Sequence, residues 1–114
     1  MPPPALADPT DATFRALADP TRRAVVARLT HGPASVSDLA APFEMSMPSF
    51  LQHLRVLEEC GVIGSSKRGR VRTCRLESAR LRVAEDWLST QRSEWERRVD
   101  RLAEFAERAE QDAR

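Results

Sequence analysis

The last third of the chain restricts the fold most, because residues 78–109 contain neither glycine nor proline. Apolar side chains recur there at every seventh position, which predicts one long helix with a single apolar stripe. The repeat consists of Leu81, Leu88, Trp95, Leu102 and Ala109, with Ala84, Val99 and Phe105 between them. A small domain cannot bury so long a stripe, so we expect it to pack against the same helix of a second copy. A helix folded back onto its own core is the alternative.

Capping signals divide the first part of the chain into short helices. Residues 13–17 offer a first helix with its apolar side chains on one side. Asp19 and Pro20 predict the start of a second helix, because an aspartate caps free N–H groups and proline suits the first turn. Gly32 is placed to end that helix. Ser35 begins a capping-box variant and predicts a third short helix.

Residues 46–61 predict a fourth, amphipathic helix, which Ser46 caps and Gly61 ends. Five apolar residues share one arc of its helical wheel and are predicted to face the core: Met47, Phe50, Leu51, Leu54 and Leu57. The opposite face carries Ser49, Gln52, Arg55 and Glu59, with His53 on the border. Short polar side chains of this kind can approach the edges of DNA bases.

A basic hairpin is predicted after the fourth helix. Two strand-like runs, residues 62–66 and 71–76, flank a basic tip that contains Gly69. In the second run we expect Cys74 and Leu76 to form an apolar face and the arginines to form a separate basic face.

This order of elements is that of a winged helix-turn-helix, in which the second helix of the motif enters the major groove and the hairpin reaches the flanking backbone. We therefore predict a mainly α fold with a small β-hairpin, a winged helix-turn-helix with a long C-terminal dimerisation helix. Residues 1–11 would be a flexible lead-in and 111–114 a tail. The domain would span 12–110, with its dimerisation helices being the first helix and residues 78–110.

The charge distribution points to nucleic acid although the net charge is only +1. Residues 45–76 hold six Lys or Arg against two Glu, whereas residues 1–44 hold four Arg against five acids and 77–114 hold eight Arg against ten acids. A basic segment between two mildly acidic flanks is typical of a surface that binds phosphates.

Three sets of functional residues follow from this interpretation. The residues predicted to read bases are Ser46, Ser49, Gln52 and His53. Those predicted to contact the DNA backbone or form the wing are Arg55, Lys67, Arg68, Arg70 and Arg72. Those predicted at a dimer interface are Phe14, Leu81, Leu88, Trp95, Val99 and Leu102.

The chain resembles the ArsR/SmtB family of bacterial winged-helix repressors. The resembling segments are residues 14–23, 37–40, 46–61 and 69–72, within a likeness that covers roughly residues 12–110. Its most specific part pairs Leu-Ala-Asp-Pro-Thr-Arg at 17–22 with Gln-His-Leu-Arg-Val-Leu-Glu at 52–58. The resemblance implies a homodimer, double-stranded operator DNA as partner, and an effector that changes DNA affinity.

The effector sites that the resemblance implies are missing from this sequence. Arsenic and cadmium sensors of the family carry Cys-Val-Cys-Asp-Leu before the recognition helix, where this chain has Ser-Val-Ser-Asp-Leu at 35–39. Zinc and nickel sensors use an Asp-x-His pair on the last helix, where Asp86 is here followed by Trp87 and Leu88. The family also carries Ser and a basic residue before the recognition-helix His, in place of Leu51 and Gln52.

Several interpretations of how the protein is controlled stay open at this stage. His31 and His53 are candidate ligands for Ni²⁺ or Zn²⁺ in a site with nitrogen and oxygen donors, which would make the chain a metal-responsive regulator that activates or represses. A second interpretation is a constitutive repressor controlled by its expression level or by a regulatory protein partner, and a third is a winged-helix protein-interaction module. Cys60 and Cys74 lack metal or redox spacing and are interpreted as buried thiols.

Enzymes, membrane proteins and secreted proteins are not favoured. The sequence has no phosphate loop, no nucleophile paired with a base and no site of paired carboxylates, so we predict that it is not an enzyme. A membrane-spanning helix needs about 20 consecutive apolar residues, and no apolar run in the sequence approaches that length. No secretion leader is recognisable. We expect a bacterial cytoplasmic protein that is associated with the nucleoid when bound to DNA.

Overall fold

The computed structural model describes residues 8–114, which form five helices and three strands. The helices are α1 (Pro9–Leu17), α2 (Pro20–Leu29), α3 (Val36–Ala40), α4 (Met47–Glu59) and α5 (Ser78–Asp112). The strands are β1 (Ala34–Ser35), β2 (Ile63–Arg68) and β3 (Val71–Leu76). This architecture confirms the predicted fold class, a mainly helical winged helix-turn-helix with a long last helix.

Two compact units divide the chain, one ending at Ala84 and the other comprising Glu85–Arg114. The first unit contains the buried core and all three strands. The second is helical as far as Asp112, and its side chains are exposed in the single chain. Ion pairs such as Arg92 with Glu96 stabilise its surface. No helix within residues 8–114 is both long enough and apolar enough to cross a membrane.

Helix α1 begins at Pro9, four residues before the predicted start. The Asp8 carboxylate accepts a hydrogen bond from the Thr10 N–H at 2.8 Å and caps the helix. Buried Thr13 donates its hydroxyl proton to the Pro9 carbonyl at 2.7 Å. The predicted lead-in over residues 1–11 is therefore wrong from Pro9 onward, and its first seven residues lie outside the described part of the chain.

The other predicted caps are confirmed. Asp19 caps α2 by accepting from the Arg22 N–H at 3.0 Å, and Ser35 caps α3 by accepting from the Asp38 N–H at 3.1 Å. Helix α4 ends at Glu59, and Gly61 follows its C-cap with a φ of +78°, which favours a residue without a side chain. These hydrogen bonds fix where each helix of the motif starts and stops.

The core of the first unit is built from one face of each of its helices and the base of the sheet. Its largest fully buried side chains include Phe50 and Leu57 of α4, and the Phe50 ring lies 5.4 Å from the ring of Phe43. The prediction that all five apolar residues of α4 face the core is wrong for two of them. Met47 is 45% exposed and Leu51 is 39% exposed, because they project beyond the edge of this core.

The wing is a three-stranded antiparallel sheet in the order β1-β3-β2, rather than the predicted two-stranded hairpin. Strand β1 pairs Ala34 with Cys74, a partner forty residues away in sequence that the local pattern could not reveal. The predicted separation of an apolar and a basic face is wrong as well. Alternation places Arg72 on the same face as buried Cys74, so one face changes from apolar at the base to basic near the tip.

The difference between the buried and exposed leucines of α4 is testable by alanine substitution. We expect Leu57→Ala to lower the free energy of unfolding by about 3 kcal/mol, because it leaves a cavity in the core. Leu51→Ala should lower it by less than about 1 kcal/mol. Urea unfolding at one fixed protein concentration measures both, and equal losses would contradict this description of α4.

Candidate nucleic-acid interface

The exposed side of α4 and the wing border one open groove of about 490 Å³ within the first unit. Its lining residues come from the start of α3, the first turns of α4 and the tip of the sheet: Ser35, Val36, Ser37, Met47, Leu51, Lys67, Arg70, Val71 and Arg72. The fold thus brings Met47 and Leu51 of α4 close to three of the residues predicted to contact phosphates, whereas none of the four predicted base-reading residues lines the groove.

Two serines form a local network at the N-terminus of α4. Ser46 accepts a hydrogen bond from the Ser49 N–H at 3.3 Å, which satisfies one of the free donors of the first turn. The Ser46 hydroxyl also donates to the Ser49 hydroxyl at 3.0 Å. Both serines are exposed, as their predicted role requires, but their hydroxyl groups already have partners in the protein.

Gln52 is held in place by its neighbour one helical turn later. Arg55 Nη1 donates to Gln52 Oε1 at 2.7 Å, and both side chains are exposed. The Gln52 amide N–H₂ group still offers two donors. Gln52 is therefore oriented on the outer face of α4 before any ligand arrives.

His53 does not lie on the outer face with these residues. Its ring is about a quarter exposed, and Nδ1 lies 3.6 Å from Asp19 Oδ2 and 3.3 Å from Arg22 Nη1. Nδ1 accepts from the Arg22 guanidinium in the tautomer whose proton is on Nε2, whereas a proton on Nδ1 would be directed toward Asp19. The structure places His53 at a junction between α4 and α2.

Arg22 is a residue at this junction that the residue-by-residue analysis missed. Its Nε donates to the Ala16 carbonyl at 2.8 Å and its Nη2 donates to the Arg15 carbonyl at 3.0 Å, both near the C-terminus of α1. The same guanidinium contacts His53 of α4. The only signal in the sequence was its place in the Asp-Pro-Thr-Arg segment, because contacts between helices leave no local pattern.

Asp19 joins the junction as cap and as counter-charge. The hydrogen bond from the Arg22 backbone N–H lowers the pKa of the Asp19 carboxyl, and the charges of His53 and Arg22 act in the same direction against the effect of burial. One carboxylate thus caps α2 and faces the ring that orients α4.

The wing presents its basic side chains to solvent. Gly69 forms the tip with a φ of +63°, and nothing lies within 4 Å of the position a side-chain Cβ would take. The predicted backbone-contacting residues are all exposed: Arg55, Lys67, Arg68, Arg70 and Arg72. Of these, three line the groove directly, namely Lys67, Arg70 and Arg72.

The base of the wing is attached to α4 by a hydrogen bond. Ser65 of β2 donates its hydroxyl proton to Glu58 Oε1 at 2.7 Å. Cys74 of β3 is buried, and burial together with the Glu58 carboxylate raises the pKa of its thiol. A raised pKa keeps the thiol protonated and unreactive, and Cys60 is likewise buried, which agrees with the interpretation of both as core residues.

The residues at the family's thiolate positions do not fit a thiophilic metal. Ser35 and Ser37 carry hydroxyl groups there, and the Ser35 hydroxyl is engaged in capping α3. His31 is exposed after α2, and His53 has a guanidinium beside it. Within residues 8–114 no group of three or more His, Cys, Asp or Glu side chains is arranged to hold a metal ion.

The residues predicted at a dimer interface differ in exposure. Phe14 is half-buried in the first unit, and Leu81 packs partly buried against the core of that unit. The others are exposed on the second unit: Leu88 53%, Trp95 68%, Val99 42% and Leu102 69%. An apolar stripe this exposed is rare on a protein that works as a single chain.

Comparison with known proteins places these features in context. A helix-turn-helix domain family matches residues 17–63. The chain is 41% identical over 71 residues to the HTH-type transcriptional regulator Rv2034 of Mycobacterium tuberculosis. This match spans 62% of this chain and 66% of that protein, which is just under two thirds of its length. It is 32% identical over 75 residues to the transcriptional repressor SdpR of Bacillus subtilis, covering 66% of this chain and 83% of the relative.

A solved structure extends the similarity to the fold. The crystal structure of the ArsR family transcriptional regulator RHA00566 is 50% identical to this chain, with a TM-score of 0.75. The match covers 78% of this chain and 98% of that structure. The comparison of sequences and the comparison of structures therefore agree.

The charge on Asp19 should make stability depend on pH. We expect Asp19→Asn, which keeps a capping side chain, to lower the free energy of unfolding at pH 7 by about 1 kcal/mol, because hydrogen bonds to charged groups are stronger than those to neutral ones. A lowered pKa stabilises the fold above the ordinary value of about 3.9, and that stabilisation is lost as the pH falls through the lower folded-state value.

The difference between wild type and Asp19→Asn should therefore disappear in strong acid. Denaturant unfolding from pH 7 down to strong acid below pH 3 measures it, and Asp19→Ala, which also removes the cap, is the comparison that should remain less stable throughout. A difference between wild type and Asp19→Asn that does not change with pH would contradict this role of the charge.

Proposed function

Because this chain belongs to the ArsR/SmtB family of winged helix-turn-helix transcriptional regulators, we propose that it is a homodimeric repressor that binds a two-fold symmetric DNA operator. Its place of action would be the bacterial cytoplasm, on the nucleoid. The observation that carries this proposal is the groove in which the exposed face of α4 meets the basic wing.

The geometry of the groove suits duplex DNA. The major groove of B-form DNA admits one α-helix, and the wing of such a motif lies against the flanking phosphates. Helix α4 presents short or amide side chains at Ser46, Ser49 and Gln52, whereas cationic side chains cluster on the wing. Base contacts and phosphate contacts would thus come from different elements of one surface.

We assign His53 a positioning role within this proposal. Its contacts with Asp19 and Arg22 hold α4 against α2, so it would act on DNA through the orientation of α4. Ser46, Ser49 and Gln52 remain as the proposed base-reading residues.

Dimerisation would give the protein two α4 helices that can contact DNA bases. The exposed stripe of Leu88, Trp95 and Leu102 recurs every seven residues along α5, the spacing that packs a helix against a second helix. Two copies related by a two-fold axis place two α4 helices on equivalent half-sites. Binding to an operator that overlaps a promoter would then block transcription, and the Bacillus subtilis relative is named a transcriptional repressor.

Two alternatives describe how DNA binding by this protein would be controlled. A divalent ion bound through nitrogen and oxygen donors would make the protein a metal-responsive regulator, whereas control by a partner protein would need no ligand. Calorimetric titration with Ni²⁺ and Zn²⁺, followed by DNA binding in the presence of each ion, distinguishes the two. Heat of binding together with a changed DNA affinity would support the metal-responsive alternative.

Two substitutions separate phosphate recognition from base recognition. We expect Arg68→Ala to weaken binding to specific and scrambled duplexes alike, and to reduce the salt slope of log K by about 0.9 for each phosphate that is no longer neutralised, because counterions are no longer released there. Gln52→Ala should weaken binding to the specific duplex alone, since it removes a hydrogen bond to a base. Fluorescence anisotropy at three salt concentrations measures both.

If both variants change affinity in the same way on both duplexes, this division of roles is wrong. If the wild-type protein binds specific and scrambled duplexes equally and weakly, the protein-interaction alternative gains support instead.

A substitution in the apolar stripe of α5 tests the dimer. We expect Trp95→Glu to shift the protein from dimer to monomer, because a buried and unpaired carboxylate in the apolar stripe is costly. Ser93→Glu, which adds the same charge on the opposite face of α5, should leave the dimer intact. Sedimentation velocity over a range of concentrations gives the result, and a dimer that survives Trp95→Glu would place the interface elsewhere.

A further inference from the structure

We propose that Leu51, together with Met47, reads the 5-methyl group of thymine in the operator. The inference rests on the proposed function and names what the groove between α4 and the wing recognises. Both side chains line that groove and are exposed, 39% for Leu51 and 45% for Met47. They follow the serine cap of α4, in the turns that would enter the major groove deepest.

Folding does not explain why the side chains of Leu51 and Met47 are exposed. Phe50, Leu54 and Leu57 supply the buried face of α4, so the helix is already anchored without Leu51 and Met47. Two large apolar side chains left at a groove gain stability only when a ligand covers them. Their place beside the predicted base-reading residues makes that ligand the same DNA.

The polar neighbours of these residues already have partners within the protein. The hydroxyls of Ser46 and Ser49 bond to each other, and the Gln52 carbonyl accepts from Arg55. The Ser46 hydroxyl proton and the Gln52 carbonyl are therefore engaged, whereas the Gln52 amide N–H₂ group stays free to donate to a base. Leu51 and Met47 exchange only water for an apolar contact, so their contribution adds to that of the polar contacts.

The charge of the groove selects the kind of ligand. Lys67, Arg70 and Arg72 line one side of it, and three cationic side chains there favour a polyanion as the ligand. A polyanion that also presents an apolar group at fixed spacing from its phosphates is duplex DNA with thymine in the major groove. The thymine methyl is the apolar group that distinguishes one base from the others in that groove.

Replacing thymine with uracil tests the inference directly, because uracil keeps every hydrogen-bonding group and lacks only the methyl. A duplex selected from a randomised library by the full-length wild-type protein is synthesised with thymine and again with deoxyuridine at every thymine position. Burial of one methyl is worth about fourfold in affinity. We expect uracil to weaken wild-type binding about fifteenfold when one methyl is removed from each of two half-sites.

Substitutions of Leu51 test whether its side chain causes the discrimination between thymine and uracil. Leu51→Ala should bind the thymine duplex more weakly and discriminate thymine from uracil by less than about twofold. Leu51→Met, which keeps an apolar side chain, should retain most of the discrimination. Arg70→Ala is the matched control, since it should weaken both duplexes equally and leave their affinity ratio unchanged. Circular dichroism confirms that each variant is folded.

The outcomes separate this inference from the proposed function. Wild-type protein that prefers the selected thymine duplex over a scrambled one, yet binds the uracil duplex equally well, would overturn methyl reading and leave sequence-specific DNA binding standing. Discrimination that persists in folded Leu51→Ala would overturn the assignment to Leu51. Loss of all preference between selected and scrambled thymine duplexes would overturn the proposed function and this inference together.

Discussion

One guanidinium group connects the first, second and fourth helices of the chain. Arg22 donates to two carbonyls at the end of α1 and reaches the ring of His53 on α4, so three helices meet at a single side chain. The carbonyls at a helix end have no partner within the helix, and a charged donor satisfies them well. Asp19 supplies the counter-charge and caps α2 at the same point. Helix α4 is therefore attached to the rest of the first unit by polar contacts as well as by apolar packing.

Apolar packing and a hydrogen bond both attach α4 to its neighbours in the first unit. Phe50, Leu54 and Leu57 enter the core at helical spacing, and Glu58 accepts a hydrogen bond from Ser65 of the wing. The two elements that border the groove are therefore in contact within the single chain. A surface organised in advance loses less conformational entropy when it binds.

Sequence reasoning was most successful where the physical signal is local. The caps at Asp19, Ser35 and Ser46 and the turn at Gly69 depend on neighbouring residues, and the structure has them where they were predicted. The Asp8-Pro9 start carries the same local signal as Asp19-Pro20, so this miss was avoidable.

Other features depend on what lies across the fold, which a helical wheel or a strand pattern does not contain. The helical wheel placed Leu51 on the same arc as the buried residues of α4, but it could not show where the core ends. Strand β1 has two residues and exists only through its pairing with β3. The turn of His53 toward α2 follows from Arg22, thirty-one residues earlier. The predicted base-reading and dimer roles remain predictions, because they concern partners outside the chain.

The separation of buried and exposed apolar residues on α4 has an evolutionary consequence. Positions 47 and 51 are exposed whereas positions 50, 54 and 57 are buried, so we expect stability to select less strongly against mutations at the first two. After gene duplication, two copies could diverge at these positions while each still folds. If these positions contact DNA as proposed, such divergence would separate two regulatory circuits through changes at two codons, without passing through an unfolded ancestor.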